Sequence, residues 1–139
     1  MNTCNDSHAC CAVCSSVSEN PFSLNVNYQA NGEHECVSAF LVEERHQGYL
    51  GLLHGGIASS LLDGAMTHCL LQHGIMALTA KLDVRFHDVI KLGEKVDVKA
   101  ICHSSRRSVY DLSAQLTVNG IVKVSATAKF IRPKNTVCF

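Results

Sequence analysis

His54, Gly55 and Gly56 stand together at the head of an apolar run, and Asp63 follows the histidine by nine residues. Two glycines at a helix start leave bare backbone that a ligand can approach. The first helical N–H groups have no internal partners and carry partial positive charge. Such amides can polarise a carbonyl and hold the oxyanion that forms when it is attacked. A carboxylate nearby can act as a base for water or as a nucleophile. Between Gly48 and Ala80 there is no lysine or arginine, and Asp63 is the only acid. A carboxylate kept in such surroundings costs several kcal/mol or has its pKa raised, which packing alone does not require. The plainer alternative is that Ser59, Asp63 and Thr67, spaced i, i+4, i+8, form a solvated helix stripe. His54-Gly55-Gly56 weighs toward a site.

The elements that must position these residues follow from hydrophobic period. Ile57, Ala58, Leu61, Leu62, Ala65, Met66, Cys69 and Leu70 cover more than half the circumference of a helix that opens at Gly55-Gly56 and runs to about His73. Such a helix is largely buried, and Gly74 is a plausible stop. Residues 22–28 and 36–42 read as strands with Asn31-Gly32 as the turn between them, and 43–53 as a connecting loop. Four more strands follow at 79–88, 94–103, 108–118 and 121–132, with Asn119-Gly120 as a hairpin turn. In the first of these, Leu82, Val84 and Phe86 alternate against Lys81, Asp83, Arg85 and His87, the period-two pattern of a sheet buried on one face. One helix cannot cover a long antiparallel sheet unless the sheet curls around it. The expected class is α+β, an antiparallel sheet of five or six strands wrapped around one long central helix.

Bulk composition sets wider limits. With 139 residues, 47% hydrophobic and 17% charged, the chain suits one globular domain. A formal net charge of zero gives no sign of nucleic acid as a partner. The start, MNTCNDSHAC, lacks a basic stretch followed by an apolar run, and the helical segment is too interrupted by polar residues to span a membrane. The expected location is the cytoplasm, with the eight cysteines mostly reduced.

The run HQGYLGLLHGGIASSLLDGAM resembles the hotdog-fold thioesterases of the PaaI-like and Arthrobacter-type 4-hydroxybenzoyl-CoA group. The likeness extends through Thr79, the LDVRF strand and the turn at Gly93-Glu94, and CAVCSSVSENPFSLNV resembles an opening common in such proteins. It implies a thioesterase domain over 21–135 behind a Cys-rich segment over 1–20. It also implies an acyl-CoA substrate, hydrolysis without a cofactor, and a homodimer or dimer of dimers in which each site uses both subunits. Asp63 would activate water or attack directly, and the Gly55 N–H would polarise the thioester carbonyl. His54 and Gly56 would shape and bind around it. Thr79 would supply a water-positioning hydroxyl across the dimer interface from the carboxylate. Gly48 stands where some relatives carry an asparagine, so neighbouring Gln47 is a further substrate-binding candidate. A non-catalytic acyl-CoA binding or sensing module on the same fold is the alternative, and a dehydratase acting on a hydroxyacyl thioester is a weaker one.

The CoA nucleotide needs phosphate partners, for which Arg106, Arg107 and Arg132 are candidates, with Lys134 beside them and Arg85 behind. Tyr49, Leu53, Met66, Phe86 and Tyr110 could line an acyl tunnel. Cys4, His8, Cys10, Cys11 and Cys14 crowd the start, and Cys11-x-x-Cys14 could be half of a zinc site. The spacing is not that of a paired Cys-x-x-Cys module, so free thiols and no metal are expected. Cys36, Cys69 and Cys102 read as small core residues, and His68 and His73 as helix-surface or packing residues.

Overall fold

The computed structural model describes residues 8–133. Six strands form one antiparallel sheet: β1 (Gln29–Ala30), β2 (Glu35–Leu41), β3 (Leu78–Phe86), β4 (Lys95–Arg106), β5 (Val109–Val118) and β6 (Ile121–Ile131). Their order across the sheet is β1-β2-β4-β5-β6-β3. Between β2 and β3 lie a single 3₁₀ turn, Glu44–His46, and the helix α1 (Gly55–Leu71). The α+β class, the long helix and the six-stranded sheet agree with the sequence expectation.

The core is built where the periods predict it. Ala58, Leu61, Leu62, Ala65, Met66, Cys69 and Leu70 of α1 are buried, as are alternate residues of the sheet: Val96, Val98 and Ala100 on β4, Tyr110, Leu112, Ala114, Leu116 and Val118 on β5, and Val124, Ala126, Ala128 and Phe130 on β6. All of these belong to a single apolar cluster, so the sheet closes around one helix. Cys36 and Cys69 lie inside it, while Cys102 is half-buried.

One expected strand is absent. Residues 22–28 do not join the sheet, and only Gln29–Ala30 pairs with β2. Asn25 adopts φ 55°, in the left-handed region, which breaks the extended run. Leu24 and Val26 instead donate their N–H groups to the carbonyls of Ala12 and Val13, so this stretch is tied to the cysteine-bearing segment. Tyr28 closes the unit by donating its hydroxyl to the Leu61 carbonyl of α1 at 2.8 Å. Its ring fills the notch at Gly64, where an added Cβ would lie 2.6 Å from the tyrosine oxygen and 3.0 Å from Val13.

β3 occupies the sheet edge. It pairs only with β6 and is exposed along most of its length, with Leu78 and Phe86 about half exposed. Its register shifts between Thr79 and Lys81. Strict alternation would put Thr79 on the outer face with Lys81. The bulge instead sets Thr79 opposite Phe130, whose side chain is fully buried, so Thr79 points inward at α1. No helix among the described residues is long and apolar enough to cross a membrane.

Candidate active site

The helix entrance is held by its own histidine. His54 is the N-cap of α1, and its Nδ1 accepts the Gly56 N–H at 2.8 Å. A ring nitrogen that accepts leaves the proton on Nε2 in the neutral form, so His54 has an N–H to offer. The Gly56 amide is therefore committed within the protein. The Gly55 N–H makes no hydrogen bond among the described residues and, on an exposed residue at the helix start, is free to donate. The backbone of His54 is anchored in turn, its N–H donating to the His46 carbonyl at 2.9 Å.

His46 is the buried brace under this loop. Its Nδ1 accepts the Glu43 N–H at 2.9 Å, and its ring packs against Phe40. Burial, with the Arg45 charge adding and Glu43 opposing, holds it below the ordinary histidine range. Gln47, a candidate for substrate contact, turns its side-chain oxygen to the Gly51 N–H at 2.9 Å and braces the loop as well.

A cavity of about 640 Å³ opens beside Gly55. Tyr49, Leu53, Phe86, Val89 and Ile90 give it apolar walls, and His54 and Gly55 lie at its rim. The Phe86 ring covers Gly55, standing 3.5 Å from where a Cβ would be. Met66 and Tyr110, expected to line an acyl tunnel, are core residues away from this cavity.

Asp63 lies elsewhere. It is half-buried, and its Oδ1 accepts the Thr79 hydroxyl at 2.6 Å. The resemblance placed that hydroxyl across an interface from the carboxylate, whereas the bulge of β3 delivers it within the same chain. Asp63 is neither a solvated surface charge nor a wall of the Gly55 cavity. Eight residue steps of helix separate Asp63 from Gly55, about 12 Å along the axis at about 1.5 Å per step. One chain therefore carries both chemical parts but does not bring them together. Ser59, Ser60 and Thr67 bond back to the carbonyls four residues before them and do not reach for a ligand.

The arginines fall at one end of the sheet. Arg106 ends β4, Arg107 sits in the β4–β5 turn at φ 50°, and the Arg132 N–H donates to the Ser108 carbonyl at 2.8 Å. Ile131, next to Arg132, pairs with Leu78, next to Thr79. The exposed basic group and the Asp63–Thr79 pair thus share an end of the sheet. Arg85 lies on the outer face in a shallow groove with Lys99 and His87.

A six-stranded antiparallel sheet curled round one long helix is the hotdog architecture of thioesterases. The sequence model of the thioesterase superfamily matches residues 50–125, more than half of the chain, and the protein belongs to that superfamily. Human acyl-coenzyme A thioesterase 13 is 28% identical over 90 residues, 63% of this chain and 64% of its own length. The chain thus covers just under two thirds of that curated relative. Zebra fish thioesterase superfamily member 2 superposes with a TM-score of 0.77 at 20% identity over 94% of this chain and 95% of that one. A hypothetical thioesterase of Streptococcus pneumoniae, solved with coenzyme A, superposes at 0.73 with 19% identity over 78% and 88%. At these identities the structural likenesses speak for the fold.

Proposed function

We propose that the protein hydrolyses acyl-CoA thioesters to the free acid and CoA, in an active site shared between two copies of the chain. The observation that carries this reading is the placement of Asp63. A carboxylate oriented by a threonine hydroxyl is set at an open strand edge, about 12 Å from the helix-entrance amide of Gly55.

A second copy supplies the missing proximity. Among the described residues β3 pairs with β6 alone and leaves its other edge open, a surface that a folded protein covers. Antiparallel pairing of this edge with its twin across a two-fold axis runs the Thr79 end of one β3 along the Phe86 end of the other. Phe86 covers Gly55, so this two-fold brings each Asp63–Thr79 pair toward the other chain's cavity. The arginines at the same sheet end then flank the substrate, within reach of the CoA phosphates.

The chemistry follows from these parts. The Gly55 N–H polarises the thioester carbonyl and binds the oxyanion, and His54 Nε2–H is placed to add a second donor. Asp63 takes a proton from the attacking water, the C–S bond breaks as the oxyanion collapses and the proton passes to the departing CoA sulfur; alternatively Asp63 attacks the carbonyl itself, CoA leaves and water cleaves the resulting anhydride, while Thr79 fixes the orientation of the carboxylate. The curated relatives named acyl-coenzyme A thioesterases support the substrate class, as does the fold neighbour solved with coenzyme A. A soluble protein in the cytoplasm fits this substrate.

The test is a thiol-release assay on purified protein across short, medium, long and aromatic acyl-CoAs. Turnover on at least one class is expected. Tight binding of acyl-CoA with no thiol released from any of them would instead establish the binding-module alternative.

A further inference from the structure

Five residues beyond Asp63, His68 carries a nitrogen with no evident use. Its Nε2 is buried and has no hydrogen-bond partner among the described residues. A buried imidazole nitrogen without a partner is destabilising. Tyr28 stacks on the His68 ring with centroids 4.9 Å apart, which accounts for the ring's position but not for its idle nitrogen.

Two ligand-type side chains from the other end of the sequence converge on it. The ligand atoms of His8, Cys14 and His68 all lie within 4.8 Å of one another, and each residue is half-buried. His8 Nδ1 stands 3.4 Å from Cys14 Sγ. Tetrahedral zinc, with bonds of about 2.0 Å to nitrogen and 2.3 Å to sulfur, requires N···S edges of about 3.5 Å. That edge is already formed. The Cys14 thiol faces Cys11, which precedes it by the Cys-x-x-Cys interval, and the Val13 N–H points at Cys11 Sγ at 3.4 Å.

We propose that His8, Cys14 and His68 bind one zinc-type divalent cation, with Cys11, which adjoins Cys14 but lies outside the three-residue cluster, turning in as the fourth ligand. Two thiolates and two imidazoles are a donor set that selects zinc among the common divalent ions by softness and geometry. Four protein ligands close the shell, so the ion is structural and has no open position for substrate. It ties the turn carrying His8 and the cysteines to the helix that carries Asp63. Sequence spacing alone had favoured free thiols, because the fourth ligand lies on α1, far along the chain.

The test uses the full chain, expressed with zinc in the medium and purified under reductant without chelator. Elemental analysis should find one zinc per chain. Exchange for cobalt should give tetrahedral d–d absorption with a thiolate charge-transfer band. His68→Ala and Cys14→Ala should each lose the metal, and Cys10→Ala should keep it. Wild-type zinc well below one equivalent, zinc unaffected by His68→Ala, or a Cys11–Cys14 disulfide in protein handled without oxygen would each overturn the site. The wild-type stoichiometry and cobalt spectrum decide even where a variant does not fold, and neither depends on thioesterase activity.

Discussion

The Thr79 hydroxyl donates to Asp63 Oδ1 at 2.6 Å, and it does so because β3 carries a bulge two residues from its start. Hydrogen bonds to a charged group contribute about 1.5–3 kcal/mol, so this contact is strong enough to fix the carboxylate's orientation. Asp63→Asn should therefore lower turnover by about 10²- to 10⁴-fold, the usual worth of a positioned base, with the fold unchanged by circular dichroism. Thr79→Ala should cost about 10- to 100-fold and Thr79→Ser much less. Near wild-type turnover by Asp63→Asn on a good substrate would remove the carboxylate from the chemistry.

Gly55→Pro isolates the amide. Gly55 is the first helical residue, where proline is well tolerated. His54 is already extended at φ −63°, ψ 131°, as the residue before proline should be. The proline Cβ would meet Phe86 at ordinary contact distance. Stability should stay level or rise by up to about 1 kcal/mol, while turnover falls about 10²- to 10³-fold for want of the donor. Co-expressing Gly55→Pro and Asp63→Asn chains should then restore activity, because a mixed dimer holds one intact site. Absence of recovery in a verified mixed dimer would put both groups to work within a single chain.

Gly64→Ala sets two effects of known sign against each other. Alanine gains about 1 kcal/mol in helix propensity. Its Cβ would meet the Tyr28 oxygen at 2.6 Å and Val13 at 3.0 Å, an overpacking that costs about 1–3 kcal/mol. Tyr28 cannot swing freely, since its hydroxyl is bonded to Leu61 and its ring is stacked on His68. Urea denaturation should show net destabilisation, and Tyr28→Phe should make the alanine less harmful in a double-mutant cycle. A more stable Gly64→Ala protein would mean the notch is loose.

His46 supplies a pH dependence. Burial depresses its folded pKa below the unfolded value of about 6.5. The unfolded chain then binds the extra proton, so its contribution is fully present above about pH 6.5 and is lost as pH falls through the folded pKa. His46→Asn is expected to weaken that acid loss, read as urea midpoints at pH 7.5 and 5.5, since asparagine can accept the Glu43 amide without titrating. Equal acid sensitivity in both proteins would assign the effect to other groups.

The helix and the strands after it were legible because each has one apolar face with a regular period, and burial follows that face almost residue by residue. Residues 22–28 carry the same alternation and are not a sheet strand. Asn25 turns the backbone left-handed, and their amides pair with residues 12 and 13, a choice set by tertiary contacts. His54, Gly55 and Asp63 could be singled out as candidate site residues from their chemistry. Their separation was also implicit in nine residues of helix, but the inward aim of Thr79 was not. It depends on Ala80 being the extra residue of a bulge, and no turn-type residue marks that position. Nor could spacing bring His68 to the cysteines, since the approach of a turn to a helix is a product of packing.

The bare edge of β3 has a further meaning for how the protein would be handled. A reaction whose donor amide and carboxylate belong to different molecules must fade on dilution faster than the amount of enzyme does. Specific activity plotted against protein concentration should bend downward once dimers separate, and substrate that bridges the two halves should delay the bend. Dilution would then act as an off-switch, with nothing inhibited and nothing unfolded.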